Sequence, residues 1–335
     1  MNHLRPKVIV ILGMHRSGTS ALCELISHLG AQLAAELLPT VDEVNSHGFF
    51  EDAEVVRINE LILSNLGRTW FDLRLLPQDW LSTIDQSIYD SARAHIEKFY
   101  ASYPITLLKD PRLCLLMPFW LEMFDQSGVE TKCVYCYRHP GQVAASLNAR
   151  DSIPIDSALL LWLNYTFASL TGAANREEIF TINYTDLLTD PVKEADRIAD
   201  FVGLDSADST DELLSSVDRR QQKNKDNRLI LKSLASLEKY VESVSSYLLL
   251  GTGELPVLIE GWIDWHQTNK EWVLTLNDYL SQMVSINIQL HSLGHEYHYA
   301  QGVVNERDEQ LVEQRNELAE RDSTVLGRIN RKLIY

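Results

Sequence analysis

The sequence has 335 residues, of which 45% are hydrophobic and 23% charged, a composition typical of globular proteins rather than of disordered polar chains. Its 30 lysine and arginine residues stand against 47 aspartate and glutamate residues, which gives a formal net charge of −17. This acidity argues against broad, non-specific binding to nucleic acid or to anionic membranes, although it still allows a small basic pocket for one anionic ligand.

Residues 1–205 alternate predicted strands with predicted helices. The run Val8 to Leu12 is apolar and β-branched, which is typical of a parallel strand buried on both faces. A glycine-containing loop separates it from a helix predicted from about Thr19 to Gly30. Further strands are predicted at 105–109, 130–138 and 178–184, and further helices at 51–66, 85–100, 111–124 and 140–150. The alternation predicts an α/β fold with a mostly parallel sheet, in which Thr185 or Asp186 caps the helix after the last strand.

No strand is predicted after residue 204, and residues 229–250 and 261–300 are predicted to be helical, so we expect an all-helical C-terminal extension. Near the C-terminus an apolar residue recurs every seven positions, whereas the second core position of each heptad is charged. The recurring residues are Val304, Leu311, Leu318 and Val325. A partner-binding coiled coil and a single solvated helix or flexible tail are both compatible with this pattern.

The four cysteines do not have the spacing of a disulfide framework in a chain of this length, which favours a reducing compartment. Cys133 and Cys136 fall in a predicted strand, where residues three apart point to opposite faces, so a buried strand is favoured over a metal or redox pair. The N-terminus has no signal-peptide pattern, and the apolar stretch at 158–170 is too short to span a bilayer. We therefore expect a soluble, cytoplasmic protein.

Residues 13–20, GMHRSGTS, have the spacing of a phosphate-binding loop and lie between a predicted buried strand and the start of a helix. At such a junction the backbone N–H groups and the helix dipole point at an anion. Thr19 occupies the position where nucleotide-hydrolysing loops have a lysine, and the cation is instead Arg16, inside the loop. This weakens a kinase or NTPase function and favours an anion that is bound without a metal.

The loop resembles the 5′-phosphosulfate-binding loop of sulfotransferases, which use PAPS (3′-phosphoadenosine 5′-phosphosulfate). Arg138 ends a predicted strand and Ser146 follows eight residues later, and this pair resembles the arginine and serine that bind the 3′-phosphate in that family. The stretches 48–52, 109–112 and 184–191 also resemble bacterial sulfotransferases, often ones that act on carbohydrates. The resemblance extends over residues 7–205 and fades beyond them.

The resemblance implies a P-loop-type three-layer α/β fold, PAPS as co-substrate without a metal, and sulfuryl transfer to a hydroxyl or amine of a carbohydrate or glycoconjugate. It implies that PAPS is bound by Arg16, Ser17, Gly18, Thr19, Ser20, Arg138 and Ser146. We expect residues 1–205 to form the PAPS-binding domain and residues 206–300 to complete it or form the acceptor side. Residues 301–335 would be a charged helix, coiled coil or tail that is available for self-association or partner binding. The expected partner is a small-molecule or glycan acceptor, not nucleic acid.

Sulfuryl transfer needs a cation on the moving sulfonate. Arg16 is the first candidate, and Lys109 is the second because it ends a predicted parallel strand and would face the same crevice. Lys109 also matches the strand-end lysine of many family members. His15 could donate a hydrogen bond to the sulfonate, or it could be a solvated loop histidine.

The reaction also needs a base for the proton of the acceptor. Cytosolic small-molecule sulfotransferases have a histidine two residues after the strand-end lysine, a position that is Pro111 here, so the resemblance implies a carboxylate instead. We predict Glu51, whose apolar neighbours could desolvate it and raise its pKa. It could equally be a helix N-terminal acid that the dipole favours. Asp52 is an alternative base or the cap of a helix that begins at Ala53, and His47 and Glu36 are further alternatives.

Acceptor specificity is expected from residues 67–80, residues 150–162 and the helical C-terminal part. Four aromatic residues there could stack on a sugar face or belong to the core: Trp70, Phe71, Trp80 and Trp162. A dense basic cluster is either a nucleotide-closing segment, as the family has, or a solvated connector: Arg219, Arg220, Lys223, Lys225 and Arg228. A P-loop kinase or NTPase and an inactive scaffold of the sulfotransferase fold remain the alternative functions.

Overall fold

The computed structural model describes residues 5–39, 50–173, 178–204, 235–286 and 289. The chain divides into two compact units, Met1–Ser281 and Gln282–Tyr335. The heptad segment, the basic cluster at 219–228 and the alternative base His47 lie outside the described residues, so these expectations remain predictions.

Strands and helices alternate along the described part of the first unit, as the sequence predicts. The strands are β1 (Lys7–Leu12), β2 (Ile105–Lys109), β3 (Glu130–Tyr137) and β4 (Ile179–Asn183). The helices that precede β4 are α1 (Thr19–His28), α2 (Ala53–Asn65), α3 (Gln86–His95), α4 (Leu113–Gln126), α5 (Pro140–Asp151) and α6 (Ile155–Ala173). The helices that follow it are α7 (Tyr184–Thr189), α8 (Pro191–Val202), α9 (Ala235–Leu250) and α10 (Leu255–Thr268), and residues 270–286 are also helical.

The four strands form one parallel sheet in the order β2-β1-β3-β4. β1 is central, and its Val10 lies opposite Leu108 of β2 and Cys133 of β3. Val8 to Leu12 are fully buried, because a strand in the middle of a parallel sheet is covered by helices on both faces. The continuous apolar run of the sequence therefore predicted this strand correctly.

Helices cover both faces of the sheet, which makes the unit a three-layer α/β fold and confirms the predicted fold class. Ile9 and Ile11 of β1 belong to a core cluster that also contains apolar residues of α1 and α8. On the opposite face, Tyr135 of β3 shares a 2.8 Å hydrogen bond with Thr166 of α6. The side chains alternate between the two layers because residues of a strand point to its two faces in turn.

The helices differ from the sequence prediction in three respects. No helix was predicted for α6 (Ile155–Ala173), where the sequence showed only the apolar stretch at 158–170. Asn183, rather than Thr185 or Asp186, caps α7 by accepting a 3.0 Å hydrogen bond from the Thr185 N–H. The predicted cap was wrong because the helix begins at Tyr184, directly where the strand ends. The helix expected at 261–300 begins earlier, at Leu255, and ends at Thr268 before helical structure resumes at residue 270.

All four cysteines are buried and none forms a disulfide, and Cys133 and Cys136 lie on β3 as predicted. Burial raises the pKa of Cys136 to about 12 and that of Cys114 to about 11, so both remain protonated thiols at neutral pH. In the part of the chain that the structure describes, no group of three or more His, Cys, Asp or Glu residues could hold a metal ion. None of the helices described is long and apolar enough to cross a membrane.

Candidate functional site

The loop between β1 and α1 turns sharply at the carboxyl edge of the sheet. The Ser17 N–H donates to the Met14 carbonyl at 3.0 Å, and the Gly13 N–H donates to the Cys114 sulfur at 3.1 Å. Arg16 has a φ of 70°, in the left-handed region that costs a residue with a Cβ about 1–2 kcal/mol. Strained residues of this kind persist where the surrounding structure holds them, often at ligand sites.

Gly18 brings the loop against an aromatic ring and caps α1 without a side chain. Its φ is 93°, and a Cβ built on it would lie 2.2 Å from the Tyr184 ring. Only glycine fits this position, because both the backbone conformation and the contact exclude a side chain. The first turn of α1 contains no acidic residue, so the N–H groups and the dipole of this helix remain available to an anion.

The structure brings the loop together with the predicted Arg138 and Ser146, which lie more than 120 residues further along the chain. The Nε of Arg16 donates to the Ser146 hydroxyl at 2.8 Å. A guanidinium N–H of Arg138 donates to the Arg16 carbonyl at 2.7 Å, and this guanidinium lies 5.1 Å from the centre of the Tyr184 ring. Two arginines and a hydroxyl therefore meet at one strand-end loop.

Two polar atoms in the loop are buried without a hydrogen-bond partner. They are the Ser17 hydroxyl, on a residue that is 1% exposed, and the Nε2 of His15. A buried polar group without a partner costs about 1–3 kcal/mol, so such groups usually indicate a ligand or water that completes them. The unpartnered hydroxyl at a helix N-terminus fits a bound anion.

His15 lies between aromatic rings and close to several cations. Its ring centroid is 4.5 Å from that of Trp70 and 6.1 Å from that of Tyr165. Burial lowers the pKa of His15 well below its usual value, and the nearby Arg112 and Arg150 lower it further. The imidazole is therefore neutral at physiological pH, with one nitrogen that donates and one that accepts.

Lys109 and Glu51 form a buried ion pair beside the loop. The Lys109 Nζ lies 2.7 Å from the Glu51 Oε1 and 3.3 Å from the Ser20 hydroxyl of α1. Burial raises the pKa of Glu51, and the Lys109 ammonium counteracts this only in part. The side chains predicted as base and cation are thus in direct contact, with the phosphate loop adjacent to both.

The carboxylate of Asp52, the neighbouring alternative base, has several hydrogen-bond partners within the protein. It caps α2 by accepting from the Glu54 and Val55 N–H groups, and it also contacts His95 at 2.7 Å and the Tyr100 hydroxyl at 2.8 Å. Burial acts to raise the pKa of Asp52, but these hydrogen bonds outweigh it and hold the pKa below its usual value. This arrangement is that of a structural cap. Glu36, the remaining described alternative, is exposed.

Residues that follow β2 form a buried polar network for which the sequence analysis assigned no role. Asp110 is fully buried and accepts hydrogen bonds from Asn59 at 2.8 Å and from the Arg112 guanidinium at 2.9 Å. Asn59 accepts in turn from the Trp120 indole at 2.7 Å, and Arg112 also contacts Glu60 at 2.5 Å. The network fixes the chain directly after Lys109. The sequence signals for it were the position of Asp110 directly after a strand and the resemblance of residues 109–112 to bacterial sulfotransferases.

The four aromatic residues proposed as a sugar platform separate into two pairs. Trp80 and Trp162 are 7% and 0% exposed and belong to the core. Trp70 and Phe71 are half-buried, and their rings meet edge to face at 5.4 Å. Only this second pair retains a surface for a ligand, and Trp70 places it next to His15 of the loop.

The structure is an α/β protein in which a loop at the carboxyl edge of a parallel sheet brings together two arginines and a buried, unpartnered hydroxyl. Comparison with known families makes the class specific: the model of the sulfotransferase family matches residues 6–208, and the chain belongs to that family. The predicted family is therefore confirmed.

Two solved structures similar to the chain are sulfotransferase domains. One is the domain from the olefin synthase of Synechococcus PCC 7002, with 20% identity, a TM-score of 0.39 and coverage of 78% of this chain and 97% of that domain. The other is the domain from the curacin biosynthetic pathway, with 17% identity, a TM-score of 0.42 and coverage of 72% and 98%. No curated protein matches the chain.

Proposed function

We propose that the chain transfers a sulfuryl group from PAPS to a hydroxyl or amine of a carbohydrate or glycoconjugate. The observation that carries the proposal is the convergence of Arg16, Ser146 and Arg138 on one loop. These residues are far apart in the sequence, and an ordinary strand-to-helix turn has no need of two arginines. A nucleotide with phosphates at both the 5′ and the 3′ position could bind one of these arginines with each phosphate.

The residues of the site fit such a donor. The backbone N–H groups at the start of α1 and the unpartnered Ser17 hydroxyl would donate hydrogen bonds to the oxygens of the 5′-phosphosulfate. Arg138 and Ser146 would bind the 3′-phosphate, with the Tyr184 ring supporting the guanidinium of Arg138. Arg16 belongs to the loop at the start of α1 and its Nε donates to Ser146, and we assign its guanidinium to the sulfonate side of the donor.

In the transfer step the acceptor oxygen or nitrogen forms a bond to sulfur while the bond from sulfur to the 5′-phosphate oxygen breaks. Negative charge grows on that phosphate oxygen, where the Lys109 ammonium and the Arg16 guanidinium can stabilise it. The acceptor proton passes to a carboxylate oxygen of Glu51, which is deprotonated when it acts as base. Neutral His15 can donate a hydrogen bond to a sulfonate oxygen.

Donor binding is tested with 3′-phosphoadenosine 5′-phosphate (PAP), the product form of the donor. We expect PAP to raise the Tm of the protein without Mg²⁺, and to do so much less in Arg138→Ala. Arg197→Ala is the matched control, because Arg197 also lies 5.1 Å from an aromatic ring, that of Phe180, but on α8 away from the loop. Stabilisation by Mg-ATP alone would overturn the proposal and favour a kinase.

Acceptor class is tested by transfer of labelled sulfate from PAPS to a panel of glycans and glycolipid precursors. We expect at least one member to be labelled by the wild-type chain and not by Glu51→Gln. Transfer to phenols or steroids and to none of the sugars would contradict the carbohydrate acceptor but would support sulfotransferase activity. If PAP binds and none of these compounds is labelled, the inactive scaffold becomes the better interpretation.

A further inference from the structure

Helices beyond the region matched by the family reach the segment that flanks the phosphate loop. Asn277, in the helical residues 270–286, accepts a 2.8 Å hydrogen bond from the Leu73 N–H. Asn164 of α6 donates to the Leu73 carbonyl at 2.8 Å. Both asparagines are about as buried as core residues, at 5% and 3% exposure, so the backbone of Leu73 is held from two sides where water cannot replace either contact.

A third side chain fixes the orientation of Asn164. The Nε2 of His266, on α10, lies 2.9 Å from the Asn164 Oδ1. An amide oxygen only accepts, so the hydrogen bond requires the proton of the imidazole to be on Nε2. Burial lowers the pKa of His266 to about 4, so the imidazole stays neutral at physiological pH. His266 therefore sets which way the Asn164 amide points, and with it the donor that holds Leu73.

The residue next to Asn164 continues the connection to the loop. The Tyr165 hydroxyl donates to the Trp70 carbonyl at 2.7 Å, three residues before Leu73. The Trp70 ring lies against the ring of His15, which is part of the phosphate loop. The segment 67–80 is thus attached at two points of its backbone, and the position of its half-buried tryptophan depends on both.

We infer that Asn164, His266 and Asn277 are positioning residues for the acceptor. By fixing the backbone of Leu73 they hold Trp70 against His15, so that the exposed face of Trp70 and the loop together form the wall against which the acceptor ring lies. The inference deepens the proposed function, and the role in binding an acceptor rests on that function. The positioning of Trp70 does not rest on it, because it can be measured without a donor or an acceptor.

The position of Trp70 is measured in protein that contains 5-fluorotryptophan, by ¹⁹F NMR, with the Trp70 resonance assigned by its loss in Trp70→Phe. We expect Asn277→Ala to shift or broaden this resonance, because the freed segment changes the packing of Trp70 on His15. The matched control is Asn269→Ala, at the break between α10 and the helical residues 270–286, whose side chain bonds only to the Trp265 carbonyl in the contacts described. It should leave the Trp70 resonance unchanged.

The catalytic consequence is that acceptor binding weakens while donor binding is unchanged. In Asn277→Ala we expect the KM for the best acceptor of the panel to rise about tenfold or more, as small misplacements near a reacting group do, while the Kd for PAP stays within about twofold. His266→Leu should raise the KM for the acceptor in the same way. His266→Gln should restore the wild-type KM, since an amide N–H can take the place of Nε2–H. This pair keeps the test decisive if Asn277→Ala does not fold.

An unchanged Trp70 resonance in folded Asn277→Ala and His266→Leu would overturn the inference, and so would an equal shift in Asn269→Ala. A parallel loss of PAP binding would also overturn it, because that result indicates general unfolding. If PAP does not bind to the wild-type chain, the proposed function fails instead. The ¹⁹F result then still shows whether Asn164, His266 and Asn277 position Trp70.

Discussion

At the scale of single residues, the proposed chemistry depends on the contact between Glu51 and Lys109. Their side chains are only 8% and 4% exposed, so both charges are largely removed from water, and the pair is stable only while each has its partner. Lys109 also contacts Ser20 at the start of α1, so its ammonium lies within reach of both the Glu51 carboxylate and the start of that helix. A donor sulfonate in the phosphate loop would compete with Glu51 for the ammonium, and a released carboxylate is a stronger base.

The first prediction concerns the substitution Glu51→Gln. Turnover should fall by about 10²–10⁴-fold, the usual contribution of a general base, while the Kd for PAP changes little because Glu51 is not expected to contact the nucleotide. Single-turnover transfer from labelled PAPS and calorimetric titration with PAP measure the two quantities. Glu54→Gln is the control, since Glu54 pairs with the exposed Arg57 on the first turn of the same helix. Full turnover in Glu51→Gln with PAP bound would exclude Glu51 as the base.

The second prediction is the pH dependence of that reaction. Burial raises the pKa of Glu51, so on acidification the base form is lost at a higher pH than in an exposed glutamate, whose pKa is about 4.3. We expect kcat/KM of the wild-type chain to fall as the pH drops through the raised pKa and to be constant above it. The residual rate of Glu51→Gln should lack this acidic limb. An identical limb in the variant would assign it to another group.

Asp52 gives the third prediction, which separates a structural carboxylate from a catalytic one. Asp52→Ala removes a helix cap worth about 1 kcal/mol and leaves the buried Tyr100 hydroxyl without a partner, at about 1–3 kcal/mol more. Asp190→Ala is the control, because Asp190 caps α8 through the Lys193 N–H alone. Urea denaturation should show the larger loss for Asp52→Ala, with PAP affinity kept.

The same residue has an effect on the pH dependence of stability. The folded pKa of Asp52 lies below its unfolded value, so its contribution is present above the unfolded pKa and is lost as the pH falls through the folded pKa. Wild-type protein should therefore lose more stability between pH 5 and pH 3, a window about one unit on either side of the usual aspartate pKa, than Asp52→Ala does. Equal slopes would show that the hydrogen bonds to Asp52 do not favour its ionised form.

The sequence predicted which residue types the site uses and could not predict the contacts between them. Arg16 was identified from the spacing of the loop, whereas Arg138 and Ser146 were identified from their resemblance to the sulfotransferase family, at a strand end and in the helix that follows it. The contact of Lys109 with Glu51 joins positions 58 residues apart, and no local pattern indicates it. Asp52 was an alternative base in the sequence analysis, and its bonds to His95 and Tyr100, which no local pattern indicates, favour a structural role. Contacts of this kind depend on tertiary packing, which propensity and spacing do not contain.

At the scale of elements, the strands were predicted well because buried parallel strands are continuous apolar runs that turns interrupt. The prediction for β2 agrees with the structure at both ends, Ile105 and Lys109. Helix ends were less certain, since several residues near an end can serve as caps and the packing selects one of them, as it selects Asn183 for α7. The break at Asn269 has no glycine or proline to mark it.

The junction of β1 and α1 gives the fourth prediction. Gly18→Ala would place a methyl group inside the Tyr184 ring, in a backbone conformation that already disfavours a Cβ. We expect the loop to rearrange, PAP binding to be lost and the Tm to fall. Gly30→Ala is a matched control: its φ is 99°, close to that of Gly18, but a Cβ there meets nothing within 4 Å. Gly30→Ala should cost about 1–2 kcal/mol of backbone strain and keep PAP binding. Retention of PAP binding by Gly18→Ala would show that the contact with Tyr184 does not define the loop.

At the scale of the whole molecule, the net charge of −17 coexists with a local group of cations because acidic and basic residues are unevenly distributed along the chain. The sequence places an excess of acids at 186–212, and the described part of that stretch belongs mostly to α7 and α8. The acids in it are Asp186, Asp190, Glu194, Asp196 and Asp200, against Lys193 and Arg197. Arg16, Lys109 and Arg138 instead lie at the carboxyl edge of the sheet or in the loop there. An acidic surface repels a nucleic-acid polymer, whereas a small basic site can still bind one nucleotide.

The local group of cations leads to the fifth prediction, on salt. The arginines of the loop are partly exposed and their field is screened by ions, since the Debye length falls from about 10 Å at 0.1 M to about 3 Å at 1 M. The Kd for PAP should therefore rise several-fold between these ionic strengths, by an amount that fluorescence or calorimetric titration measures. Arg138→Ala should bind more weakly throughout and show a shallower dependence, because one charge has been removed. Arg197→Ala, on the acidic α8, should follow the wild-type slope. A Kd that does not change with salt would mean that PAP is bound by shape and neutral hydrogen bonds, and the two arginines would then have to be explained by the fold alone.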